Sequence, residues 1–208
     1  METWLTPSGI GEAEFSEKRS RFIGRVRRVE TEKEALSFIK ELREKHRDAS
    51  HNAYAYILRC AGVERYSDDG EPGGTAGSGI LKVFSDKRIK DICCVVTRYF
   101  GGVLLGTGGL TRAYSSAAKL ALEAAGTREA SLFVAINMSF PYDLHDCVKR
   151  TLTKRGCVIE GAEFGTDVKL KAFTEPERAE NLIEELNEES AGRLTAEIAE
   201  KEFRRIFR

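Results

Sequence analysis

The run Ile92-Cys93-Cys94-Val95-Val96 is the stretch that most limits how this chain can fold. Five successive apolar residues between polar neighbours read as a buried strand. Successive side chains in a strand point to opposite faces, so Cys93 and Cys94 are expected as buried free thiols on either side. The strand runs directly into Thr97-Arg98-Tyr99-Phe100-Gly101-Gly102, then Leu105-Gly106-Thr107-Gly108-Gly109-Leu110, and a helix is predicted over residues 110–125. Ala113, Ala117, Leu120, Ala121 and Ala124 give that helix a small-residue stripe, and Gly126 stops it.

The order strand, glycine loop, helix gathers free backbone N–H groups and the positive end of a helix at one point. Arg98 and Arg112 bracket the loop. The pattern is not a Walker A loop, because Thr107 stands where lysine is required. It is not the dinucleotide fingerprint either, because Thr111 stands where the third glycine belongs. One reading makes Arg98, Arg112, Gly106, Gly108 and Gly109 an anion site, extended by Arg21 and Arg25. The other gives the glycines only tight turns and close packing.

Arg21 and Arg25 come from Arg19-Ser-Arg-Phe-Ile-Gly-Arg-Val-Arg-Arg28, the second of two strands expected over residues 12–30. At period two, Phe22 and Val26 share one face; Arg19, Arg21, Arg25 and Arg27 share the other with Ile23. Either this is a solvated sheet face or an arginine stripe aimed at an anion.

A second concentration of polar residues is Ser67-Asp68-Asp69-Gly70-Glu71-Pro72, followed by Gly74-Thr-Ala-Gly77, within a loop expected over residues 65–79. Three crowded carboxylates repel unless a cation neutralises them. Asp68 and Asp69 can cap turns or the next helix while Glu71 pairs with an arginine, or the three can hold a hard metal ion. Their register is not that of an EF-hand. His51 and Asn52 open a further strand, so His51, Asn52, Asp68, Asp69 and Glu71 form a candidate polar cluster. The five cysteines and three histidines do not cluster at transition-metal spacing, so no bound metal and no cofactor is expected. No nucleophile motif is present, and the reading leans away from an enzyme.

Elsewhere Thr31-Glu-Lys-Glu34 is a capping box opening a helix over residues 32–46, and residues 52–59 alternate as a strand. A short helix is expected at residues 80–84. From residue 129 the predicted order becomes strand, helix, strand, strand, helix, strand, the βαββαβ order of ferredoxin-like domains. Two domains are expected, residues 1–127 and 128–208. The whole chain carries 33 basic and 33 acidic residues, which excludes a globally basic nucleic-acid binder but leaves room for a local patch. Residues 1–127 hold 20 basic and 17 acidic residues, so the small basic excess falls with the glycine loops. No window approaches the ~20 apolar residues of a membrane helix, and the expected location is the cytoplasm, with no membrane partner.

Four segments in order carry a resemblance: Ser20-Arg-Phe-Ile-Gly24, His51-Asn-Ala-Tyr-Ala-Tyr56, Ser67-Asp-Asp-Gly-Glu-Pro72, and Val96-Thr-Arg-Tyr-Phe-Gly-Gly102 with Arg112-Ala-Tyr114. Together they resemble the YigZ/IMPACT family, and the remainder is similar to the small C-terminal domain of its bacterial members. The resemblance implies an α+β protein with an N-terminal ribosomal protein S5 domain 2-like fold, as in domain IV of elongation factor G. It implies a ferredoxin-like C-terminal domain similar to that factor's domain V. A nucleic-acid or ribosome-associated role in the regulation of translation follows by analogy. The alternatives are a phosphate-handling enzyme with Asp68, Asp69 or Glu71 as metal carboxylates, and a protein–protein adaptor in stress control.

Overall fold

The computed structural model describes residues 3–207, with side-chain surroundings through residue 199. The chain divides into two compact units, Trp4–Glu129 and the residues from Ala130 onward. The first comprises β1 (Thr3–Pro7), β2 (Gly11–Glu17), β3 (Ser20–Arg28), α1 (Glu32–Lys45), β4 (His51–Leu58), β5 (Val63–Ser67), α2 (Gly77–Asp86), β6 (Ile92–Tyr99) and α3 (Thr107–Ala125). Five strands form one antiparallel sheet in the order β2–β3–β6–β4–β5.

The apolar run is the middle strand, β6, covered on both faces. Cys94 and Val96 pack with Phe22 and Val26 beneath α2 and α3. Cys93 and Val95 pack with Phe38, Ile39 and Leu42 of α1. Burial disfavours the thiolates, so both cysteines sit well above the ordinary thiol pKa. Half of the capping box forms as expected, with Thr31 Oγ1 accepting from the Glu34 amide at 3.2 Å; Glu34 reaches one residue further back and accepts from the Glu30 amide at 2.8 Å instead of that of the N-cap Thr31.

The alanine stripe of α3 meets glycine. A Cβ added at Gly24 would lie 2.4 Å from the Ala117 carbonyl oxygen, and one at Gly11 would lie 2.1 Å from that of Ala121. Small residues on both sides let the helix backbone lie directly on β2 and β3.

Four expectations change, the first being the short helix expected at residues 80–84, which as α2 starts at Gly77 inside the expected loop and runs to Asp86. Residues 63–67, the last three of them expected as loop, pair with β4 as the edge strand β5, whose exposed Glu64, Arg65 and Tyr66 show no apolar alternation. Residues 107–109, expected as loop, form the first turn of α3, where missing amide partners make glycine tolerable. β1 was not anticipated; it is held by the Lys90 amide donating to the Leu5 carbonyl at 2.9 Å.

The second unit follows β7 (Thr127–Phe140) with α4 (His145–Lys154), β8 (Val158–Phe164), β9 (Val168–Thr174), α5 (Ala179–Glu189) and β10 (Thr195–Phe207). A 3-10 turn precedes each helix. Pairing is antiparallel in the order β10–β7–β9–β8. Val134, Ile136, Met138, Val168, Leu170 and Ala172 pack against Val148 and Leu152 of α4 and Leu182 and Leu186 of α5. The molecule is thus an α+β protein with two antiparallel sheets. Among the described residues no helix is long and apolar enough to cross a membrane.

Candidate functional site

Antiparallel pairing brings the sequence motifs to one end of the first sheet. The end of β2, the start of β3, the end of β6, the start of β4 and the end of β5 all lie there. The C-terminus of α1 and the N-termini of α2 and α3 join them through the connecting loops.

On the face beneath α2 and α3, the centre is Glu71, 8% exposed. Its Oε1 accepts from Arg98 Nη1 at 2.6 Å and from the Tyr114 hydroxyl at 2.8 Å. Burial and the neighbouring Glu71 raise the Tyr114 pKa, so the phenol stays protonated and donates. Arg98, 4% exposed, also donates to Ser20 Oγ at 3.4 Å. Its guanidinium lies 5.6 Å from the Phe22 ring centroid and 5.3 Å from that of Phe100. His51 stands opposite Arg98 across the β4–β6 ladder. Its Nδ1 faces the Asp69 carbonyl at 2.8 Å; a carbonyl only accepts, so Nδ1 carries a proton, and Nε2 lies 3.9 Å from Glu71 Oε1.

The other two carboxylates are committed to the backbone. Asp68 Oδ1 accepts from the amides of Ala76 and Gly77 at 2.9 and 2.8 Å, and Oδ2 accepts from Gly74 at 2.8 Å. Asp68 thereby caps α2 from nine residues away. Asp69 accepts from Arg43 and, at 2.7 Å, from the Asn52 amide. Both oxygens of Asp68 and both of Asp69 thus accept hydrogen bonds from the fold itself. Among the described residues, no group of three or more His, Cys, Asp or Glu is arranged to hold a metal ion.

The opposite face, beneath α1, carries Arg21, Arg25 and Arg27. Arg25 is buried and bidentate on Glu12 at 2.7 and 3.1 Å, which lowers the Glu12 pKa. Arg21 pairs with Glu14 at 3.0 Å and covers the Tyr99 ring; Arg27 pairs with Glu41 at 3.8 Å. Tyr99 donates to Asp48 at 3.2 Å and receives from His46 Nδ1 at 2.8 Å. Asn52 takes the Thr97 hydroxyl at 2.8 Å on this side.

The predicted anion residues are thus divided by the sheet. Arg98 and Arg25 lie on opposite faces, each in an ion pair. Arg112 stays with the Gly106, Gly108 and Gly109 segment. It is exposed and has no ion pair among the described residues. Gly106, the N-cap of α3, supplies no capping side chain, and the amides of Thr107, Gly108 and Gly109 have no acceptor among the described residues. Gly109 and Arg112 line a cleft of about 250 Å³ together with Lys18, Glu17, Phe15 and Leu105. Lys18 and Arg19, both with positive φ, form the tight turn between β2 and β3. That turn presses on the glycine loop: a Cβ at Gly101 would lie 2.0 Å from the Arg19 carbonyl carbon. Arg19, expected in the arginine stripe of the strand, stands instead in the turn with positive φ; Lys18 escaped the sequence reading, although a two-residue connection between strands was the available signal. In the second unit, a groove of about 780 Å³ mixes Lys169 and Lys171 with Glu160, Glu163 and Glu197, and so has no bias toward anions.

Residues 18–122 match the Impact N-terminal domain, and residues 138–193 match a domain of unknown function (DUF1949). The IMPACT family member YvyE of Bacillus subtilis (strain 168) is 34% identical over 194 residues, covering 93% of this chain and 89% of that protein. The chain belongs to the IMPACT family. Another IMPACT family member, YigZ of Escherichia coli (strain K12), is 38% identical over 125 residues, 59% of this chain and 61% of its own. A crystal structure of a hypothetical protein superposes with a TM-score of 0.66 at 29% identity, covering 97% of this chain and all of the other. The family expectation drawn from the four motifs holds. The Impact N-terminal match spans Ser20, His51, Glu71, Arg98 and Arg112, while Glu12 lies outside it.

Proposed function

We propose that this IMPACT family member is an RNA- or ribosome-associated protein of the cytoplasm acting in the regulation of translation, and that it contacts RNA through the glycine-loop end of its first unit. One observation carries the reading: the uncapped amides of residues 107–109 adjoin a cleft lined by Lys18 and Arg112, two cations without ion pairs among the described residues. Amides at a helix start and unpaired cations are the groups that receive phosphate oxygens. In this reading Arg112, Lys18 and the segment Gly106 to Gly109 touch phosphate. Arg21 extends the surface on the α1 side, and Arg25 and Arg98 brace it from within.

The resemblance to domains IV and V of elongation factor G supports the same reading. The strand order β10–β7–β9–β8 agrees with a ferredoxin-like second domain, and the glycine-loop end would be the working end of an S5 domain 2-like first domain. Fold likeness alone names no ligand. The test is RNA affinity measured across salt concentration. Arg112→Gln and Lys18→Gln should each weaken binding by roughly tenfold or less and lower the salt slope by about one unit, with the melting temperature unchanged. Absence of salt-dependent RNA binding by the intact protein would overturn the proposal.

A further inference from the structure

Phe100 sits at the same end, 47% exposed, so about half of its surface gains nothing from burial. It is nevertheless held firmly. Its amide donates to Ser50 Oγ at 3.1 Å, and the next amide, of Gly101, donates to Ser20 Oγ at 3.2 Å. One side of its ring is occupied by the Arg98 guanidinium, 5.3 Å from the centroid. That guanidinium is itself fixed by Glu71 at 2.6 Å and backed by the Phe22 ring. The Arg98 guanidinium thus lies within cation–π range of both the buried Phe22 ring and the half-exposed Phe100 ring.

The surroundings select the occupant. The turn carrying Lys18 and Arg19 lies against Gly101, next to Phe100 in the chain. Arg112 lines the cleft beside that turn. An exposed aromatic face beside unpaired cations suits a polyanion that also offers flat rings. Val103 and Leu104 are exposed in the same loop, at 40% and 82%. The cleft sets the charged Glu17, Lys18 and Arg112 beside Phe15, Leu105 and Ala113, so a peptide is the competing occupant that the experiment must separate from RNA.

We propose that the site takes single-stranded RNA, with an unpaired base stacked on Phe100 and the flanking phosphates on Lys18, Arg19 and Arg112. This rests on the RNA-binding reading above and narrows it. Bases in a duplex are already stacked on one another and cannot use the platform, whereas single strands stack on aromatic side chains with little sequence preference.

The experiment compares a fluorescent 12-nucleotide single-stranded RNA with a duplex of the same length, using the full chain and the variants Phe100→Leu, Phe100→Tyr and Leu104→Ser. Single-stranded RNA should bind more tightly than the duplex. Phe100→Leu, which keeps apolar bulk without a π face, should weaken single-strand binding about tenfold, the effect of one lost stack. Phe100→Tyr should restore it, and duplex binding should be equal in all three. Melting temperatures confirm that each variant folds. If both RNAs bind equally and Phe100→Leu changes neither, while Arg112→Gln weakens both, the stacking proposal falls and the phosphate surface stands. If neither RNA binds, both fall. Binding of an acidic peptide that is lost in Leu104→Ser, with no preference for single-stranded RNA, would assign the surface to protein instead.

Discussion

Arg98 and Arg112 are fourteen positions apart, and their surroundings give them different roles. Arg98 and Glu71 are both buried and share a 2.6 Å contact, so removing one leaves the other charged and unpaired. Arg98→Gln is expected to lower unfolding free energy by about 3–5 kcal/mol. The Arg98→Gln/Glu71→Gln double variant should lose less than the two single losses combined. Urea denaturation of all three variants checks this; a loss for Arg98→Gln no larger than for Arg112→Gln would refute it. His46 gives a pH signature on the other face. Burial, the largest influence, holds its pKa below the ordinary 6.5; Arg25 and Lys45 add to this, and Asp48 and Glu12 oppose it. The unfolded chain therefore binds a proton that the folded one refuses. Stability falls as pH drops below about 6.5 and stops responding to this group once pH passes the lowered folded value. Melting temperature should decline from about pH 7 to 5, and His46→Gln should flatten that decline. Equal slopes in both proteins would remove His46 as the cause.

Among the elements, α2 depends on a residue outside it. Its own N-cap, Ala76, offers no side-chain acceptor, and Asp68 fills the role by taking the amides of Ala76 and Gly77. Asp68→Ala should cost about 1–2 kcal/mol, the upper range for a lost cap. Hydrogen exchange should quicken in residues 74–80 and stay unchanged in α1; unaltered exchange at the start of α2 would show that the cap is dispensable. α3 contrasts with α2, since no side chain among the described residues caps its start, and leaving those amides unmet costs stability.

At the scale of the whole molecule, each unit draws its hydrophobic clusters from its own residues. One set runs from Phe22 to Ala125 around α1, α2 and α3; the other from Phe133 onward around α4 and α5. We expect residues 1–129 expressed alone to unfold cooperatively in urea and to keep the RNA affinity of the full chain. A molten product would show that the first core is incomplete without the second unit. Retained folding with lost affinity would move part of the RNA surface to the second unit.

By itself the sequence determined the elements whose side chains repeat with a clear period: the buried run of β6, the capped α1, and the βαββαβ order after residue 129. It determined the family through four motifs of rare local composition. These are short-range properties, written in neighbouring residues. β5 was not legible, because an edge strand with exposed side chains has no apolar alternation; β1 was not, because in its five residues the buried face holds Trp4 and Thr6 while Leu5 is exposed, a pattern hydropathy does not mark. The division of the arginines was not legible either. Period two placed Arg21 and Arg25 on one face of β3, but only the register of β3 against β6 shows that Arg98 lies on the other face, with Phe22. The partner of Arg98 is Glu71, twenty-seven positions away, and the lone ring of Phe100 acquires its meaning from what lies beneath it. Charge pairing and stacking act across space, so the sequence supplied the groups and only the tertiary structure decided which were spent inside the fold and which were left facing out.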